Sequence, residues 1–266
     1  MPAAATAHEP TPLSGAALAP TRRRHLRSLD PVAVAAAILV LWQLAGAATH
    51  GVAIAPPLGT LASLGSLIQT TVFWGHVAAT TSAFLMAFAL SALFGLTLGL
   101  LLGLQRFAAD VAEPILAGFY TIPKVTLYPV VLLVFGLGVS AKVAFGVMHG
   151  LVPVTLFTLG AIRTLPPVLP RAARSLRLSQ WDAMRSVLLP ACLPEILNGL
   201  RLGFSLSLLG VLIGEMFSSQ RGLGFLLVTG LAQHNVALTT AVVLAIVLFA
   251  VGANALMLRL GRLGER

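Results

Sequence analysis

Two ionisable side chains stand where the sequence offers them little water: Lys124, directly after Pro123, and Glu215, inside the apolar run that ends at Phe217. A charge placed in hydrocarbon costs ~2.5 kcal/mol or more, so such residues mark a solute pathway, a relay or a buried ion pair. Lys124 beside a proline kink has the chemistry to draw an anion into a cavity, and a structural ion pair fits it equally well. Glu215 reads rather as structural, reaching the membrane surface or pairing with Arg221. No nucleophile–base motif couples Ser205, Ser207 and His149. The only lysines follow Pro123 and Ala141, so no G-x-x-x-x-G-K-[ST] loop exists to cradle nucleotide phosphates. H-E-x-x-H is missing, and His8, His25, His50, His76, His149 and His234 lack ligand spacing. A single cysteine, Cys192, excludes an intramolecular disulfide and a multi-cysteine metal site. No catalytic residue, cofactor or metal is therefore expected.

The elements that position these residues are set by composition. The 266 residues are 58% hydrophobic and 9% charged, with a mean hydropathy of +0.95. Soluble domains are about half apolar and about a quarter charged, so only an integral membrane protein fits. The expected fold is an all-α polytopic bundle of six transmembrane helices forming one domain over residues 30–266, after an Ala/Pro/Thr-rich disordered tail over 1–29. The net charge of +9 is a topology signal rather than a nucleic-acid footprint. Arg22, Arg23, Arg24 and Arg27 precede the first apolar run, Arg163 follows the fourth, and Arg259, Arg262 and Arg266 follow the last. Lys and Arg crowd cytoplasmic flanks, which places both termini inside. The run from Thr21 to Arg27 loosely resembles a twin-arginine export signal, but Trp42 and a full-length span suit a retained anchor.

Span one is expected over Pro31–Ala48, with Asp30-Pro31 as cap and first helical residue. Thr60–Gln69 reads as an interfacial helix with Trp74 at headgroup level. Span two, Val77–Leu104, carries Gly95, Gly99 and Gly103 four apart on one face, which is either a small-residue seam between helices or subunits or merely the high glycine content of membrane helices. Gln105–Glu113 reads as a polar turn and Pro114 as the start of the next segment. Span three, Ile115–Leu137, holds Pro123, Lys124, Tyr128 and Pro129, which interrupt its ladder twice. It is either a kinked structural helix or a lining of the pathway, since freed backbone groups are tolerated against a water-filled cavity. Spans four, five and six are expected over Ala141–Ile162, Asn198–Phe217 and Ala237–Leu258, with an interfacial or re-entrant helix in the outer loop Ser218–Val236.

One stretch is not built for lipid. Residues Thr164–Leu197 carry Arg171, Arg174, Arg177 and Arg185 and five prolines. Val168–Leu176 puts Leu169, Ala172, Ala173 and Leu176 on one side of a helix and arginines on the other. Ser179 and Asp182 have capping-box spacing and open a second helix with a Trp181, Met184 and Leu188 stripe, which Pro190 and Pro194 end. From pattern alone, such a knob docks a partner or lies on anionic lipid of the inner leaflet.

The residues Arg171-Ala-Ala-Arg-Ser-Leu-Arg-Leu-Ser179, then Leu188-Leu-Pro190, Leu193-Pro-Glu-Ile196 and Gly199-Leu-Arg201, resemble the EAA loop of binding-protein-dependent ABC importer permeases. Thr121-Ile-Pro123, Tyr128-Pro129, Phe135-Gly-Leu-Gly138, Gly214-Glu215-Met216 and Gly222-Leu-Gly224 are similar to nitrate/sulfonate/taurine-type permeases. The resemblance covers about residues 56–258. It implies a permease subunit in the bacterial inner membrane that is not itself an enzyme. Its expected partners are an ABC ATPase, an extracytoplasmic solute-binding protein, a second permease copy and membrane lipid. The coupling loop 164–197 would meet the ATPase through residues around Arg171–Arg185 and Pro190, and the outer loop near Arg221–Gly224 would meet the binding protein. Small solutes, often anionic, are implied: a sulfonate, nitrate or a vitamin precursor. Two positions depart from the family: Arg171 stands for its Glu, and Arg177 for the Gly at its bend. A secondary transporter is the alternative, but neither inverted repeats nor an ion-coupling relay is present.

Overall fold

The computed structural model describes residues 30–49 and 51–263. The tail 1–29 with its Thr21–Arg27 run, His50 and Arg266 lie outside the described residues, as does the capping role expected of Asp30-Pro31. The described chain is all-helical. It divides into two compact units between Leu41 and Trp42. The described part of the first lies within helix α1 (Asp30–Ala48). The second contains everything that follows, and the fold described below is that of this unit.

Helix α2 (Pro57–Leu67) opens on proline and occupies the place of the expected interfacial helix. The indole of Trp74 donates to the Ile68 carbonyl at 2.8 Å and fixes the turn into α3. Helix α3 (Thr71–Gly103) is capped by Thr70, whose hydroxyl accepts from the Phe73 amide. Its 33 residues reach about 50 Å, well beyond a ~30 Å hydrocarbon core.

Helix α4 (Arg106–Thr121) corrects the sequence reading: Gln105–Glu113 is no turn, and Pro114 lies inside the helix. The helical spacing puts Asp110 and Glu113 one turn apart, and Arg163 bonds both, at 2.6 and 2.7 Å. Pro123 then breaks the chain. Ile122 is extended, as a residue before proline prefers, and the segments on either side bend by 88°. A short 3₁₀ turn (Lys124–Leu127) leads into α5 (Tyr128–Phe135). Pro129 makes no second interruption, because it sits in the first turn of α5, where its missing N–H costs nothing. Gly136 and Gly138, both at positive φ, turn the chain into α6 (Val139–Arg163).

Helix α6 is the axis of the molecule, packed between α3 and α9 (Leu189–Ser218). The glycine seam expected on α3 lies within the chain: Gly95, Gly99 and Gly103 face Val154, Thr158 and Ile162. A methyl group on Gly99 would stand 2.5 Å from Thr158 Cβ. Residue numbers rise together along this seam, so α3 and α6 run parallel. The bent α4–α5 pair therefore carries the chain back from one end of the bundle to the other. On the other flank Gly199, Gly210 and Gly214 meet Phe157, Phe145 and Lys142, so α9 runs antiparallel to α6.

The knob also differs from expectation. Helix α7 (Val168–Ser175) ends as predicted, but the second helix does not stop at Pro190 or Pro194. Helix α8 (Gln180–Ala183) passes through a π-turn (Met184–Leu188) directly into α9, giving one rod over Trp181–Ser218. The wider turn shifts the register so that Pro190 falls in the first turn of α9. Helix α10 (Leu223–Ala232) then leads to α11 (Val236–Leu263).

Among the described residues four helices are long and apolar enough to cross a membrane, five if the bent pair counts as one. The expected first span, Pro31–Ala48, lies in the apolar helix α1, of which Val32–Ala48 is among the described residues.

Candidate functional site

Three features stand out, and the first is the knob. Helix α7 ends in a Schellman motif: Arg177 N–H donates to Arg174 O (3.0 Å) and Leu178 N–H to Ala173 O (3.1 Å). Arg177 occupies the left-handed position of this motif, φ 50°, where glycine has no steric cost. The bend for which the resemblance implies glycine is made here with arginine. Ser179 caps the second helix but the reciprocal half of the capping box does not form: Asp182 N–H donates to Ser179 Oγ at 3.1 Å, and the Asp182 carboxylate accepts from the Ser179 hydroxyl at 2.6 Å rather than from its backbone N–H. The expected single apolar face splits. Ala173 is buried under the helix, whereas Leu176 and Trp181 are 69% and 72% exposed. Arg171, Arg174 and Arg185 are exposed and Ala172 with them.

At the opposite end of the bundle the chain buries a charged cluster. Glu215 is fully buried and pairs not with Arg221 but with Lys142, 3.2 Å from Oε1. Its Oε2 accepts from Thr80 Oγ1 (2.8 Å) and the Gly224 amide (3.1 Å). Thr80 Oγ1 in turn accepts from the Leu223 amide at 2.8 Å. Lys142 donates to the Arg221 carbonyl, and the Gly222 amide donates to His76 Nδ1. The Arg221-Gly-Leu-Gly224 turn is thereby wrapped around one carboxylate held by α3, α6 and α9. Gly222 has φ 127°, and a Cβ there would overlap the Glu215 carboxyl group. Arg221 contributes its backbone, not its charge. Beside this cluster opens a cleft of about 670 Å³ lined by Ser82, Gly138, Lys142, Ser219, Gln220 and Arg221.

The third feature is the bend. Lys124 is buried, its ammonium 4.7 Å above the Tyr120 ring and 3.3 Å from the Tyr120 carbonyl. Tyr128 is buried too. Its hydroxyl donates to Gly214 O at 2.9 Å and contacts Ser218 Oγ, which pins the start of α5 to α9. Pro123 and Pro129 bracket this segment. Sequence reasoning missed Thr80, His76 and Lys142 as members of the Glu215 cluster, and only the Gly222/Gly224 spacing hinted that a backbone closes on something there.

A bundle centred on a glycine-packed three-helix block, with a buried ion pair at one end and a folded basic knob at the other, defines a polytopic transport protein. Residues 95–266 match the family described as binding-protein-dependent transport system inner membrane component. The taurine transport system permease protein TauC of Escherichia coli is 30% identical over 205 residues, 76% of this chain and 74% of that one. A putative aliphatic sulfonates transport permease protein, SsuC of Bacillus subtilis, is 27% identical, covering 81% and 78%. The fold is that of a chain of the MetNI methionine ABC transporter in an inward-facing conformation, with TM-score 0.62 at 20% identity over 72% of this chain and 95% of that one. The chain belongs to the binding-protein-dependent permease family and is a membrane-embedded permease subunit of an ABC importer, not an enzyme. Membership implies a separate ATPase and a solute-binding protein as its partners, and an inner-membrane location.

Proposed function

We propose that this permease acts as one of two identical copies that import a small anionic solute, a sulfonate such as taurine or a chemically similar anion. The similarity to TauC and SsuC supports the substrate class. The working domain is residues 30–266, with 1–29 as a tail. Both termini lie in the cytoplasm. Arg106, Arg163 and Arg259 lie at or just beyond the ends of their helices on the knob's side of the bundle, which supports that orientation. Bulk lipid covers the outer faces, and the solute passes along the Pro123–Pro129 bend, where Lys124 offers a positive charge.

One observation carries the reading of the knob: Leu176 and Trp181 stand exposed on a rigidly capped element that is too polar to enter the membrane. They form the surface that enters a cleft of the ATPase, flanked by Arg171, Arg174, Arg177 and Arg185. Because α8 runs unbroken into α9, movement of the knob reaches Glu215 and Tyr128 along one rod. The test is co-purification with Leu176→Asp and Trp181→Asp combined. The variant is expected to insert normally, yet to lose the ATPase and uptake. Undiminished recovery of the ATPase would overturn the assignment.

A further inference from the structure

A cleft of about 730 Å³ opens between the C-terminal ends of α3 and α6, the start of α4 and the knob. Arg106, Arg163, Arg171 and Arg174 line it against one carboxylate, Asp110. Arg163 is already engaged by Asp110 and Glu113, while Arg106, Arg171 and Arg174 have no carboxylate partner among the described residues. The floor is different in character. Leu104, Ile162, Leu165 and Leu188 give this cleft an apolar floor, and the crevice they share with Met184 and Cys192 is closed down to about 20 Å³. The site lies where α3 ends, on the knob's side of the bundle.

Three guanidinium groups without a carboxylate partner above an apolar floor fit a ligand that joins a fixed anion to a hydrocarbon chain. A carboxylate of a protein partner or a free phosphate would satisfy the rim and leave the apolar floor of the cleft uncovered. We propose that the cleft binds one anionic phospholipid of the leaflet on the knob's side, its phosphate held by Arg106, Arg171 and Arg174 and one acyl chain lying over Leu104 and Ile162. Guanidinium groups bind phosphate through paired, geometrically matched N–H donors. The lipid would fill the gap between the knob and the three-helix block, so that it stiffens the joint through which the knob acts.

The test uses the full permease, purified in mild detergent from membranes of mixed phospholipid, with retained lipid quantified by mass spectrometry. Phosphatidylglycerol is expected to be enriched over phosphatidylethanolamine. Arg106→Gln and Arg174→Gln are each expected to lower retention about fivefold, as one basic group at an anionic surface contributes. Arg259→Gln, an exposed arginine outside the cleft, serves as control and is expected to retain the lipid. Equal retention by all variants would overturn the proposal, as would displacement of the lipid by millimolar inorganic phosphate alone, which would mark a free-anion site. Loss of retention when the ATPase is bound would also overturn it, because the arginines would then serve the protein interface.

Discussion

The Glu215 carboxylate is the point where the largest local energies meet. It is an anion without solvent, balanced by the Lys142 ammonium and by hydrogen bonds from Thr80 and Gly224. Such a pair adds little net stability over an apolar replacement, but removing one member leaves the other charge stranded. Glu215→Ala should therefore destabilise the permease by roughly 3–5 kcal/mol. Lys142→Met with Glu215→Leu should recover most of that loss. Thermal unfolding of the detergent-purified variants checks this, and additive losses in the double variant would rule out the pair as the cause. Lys124 poses a different question, because its ammonium rests on a ring and one carbonyl rather than on a carboxylate. Lys124→Met should assemble normally and lower the uptake of an anionic solute several-fold. Unchanged uptake would make the residue structural.

At the scale of elements, the knob's bend is held in place at some cost. An L-residue in the left-handed region is disfavoured by roughly 1–2 kcal/mol, whereas glycine loses about 0.5–1 kcal/mol more backbone freedom on folding. The first figure exceeds the second, so Arg177→Gly should stabilise the α7 turn modestly. Slower hydrogen exchange at Leu178, whose amide closes the Schellman motif, is the expected sign. Faster exchange would mean that the Arg177 side chain contributes contacts of its own. This same region shows what the sequence could convey. The Ser179 cap and the end of α7 were legible because both are written in residues three or four apart. The continuity of α8 with α9 was not, since Pro190 and Pro194 signal a stop and only a π-turn, which has no local signature, carries the helix through. Likewise the start of α4 was hidden, because Asp110 and Glu113 read as a polar turn until Arg163, some 50 residues on, is known to receive them. The Lys142–Glu215 pair, separated by 73 residues, has no local signal at all. The glycine seam was legible as a seam, and its partner helix was not.

The whole molecule contrasts a rigid block with lighter attachments. Helices α3, α6 and α9 approach at glycines on both flanks of α6, leaving no room for a side chain at Gly99 or Gly146 and little for sliding. Such packing predicts that alternating access proceeds by movement of the block as one body, with the deformation taken up where hydrogen bonding is already interrupted. The obvious place is the 88° bend at Pro123, where helical bonding is broken and Tyr128 ties the far side to α9. Two outcomes follow from this division. Amides from Leu151 to Thr158 should exchange at least about tenfold more slowly than those from Lys124 to Leu127, since sub-global openings start where buried apolar contacts are few. And Gly99→Val, which forces a branched side chain against Thr158, should cost about 1–3 kcal/mol or more through overpacking and should lower uptake together with the melting temperature. A Gly99→Val permease that melts normally but transports poorly would show instead that α3 slides on α6 during the cycle, and the rigid-block description would have to be given up.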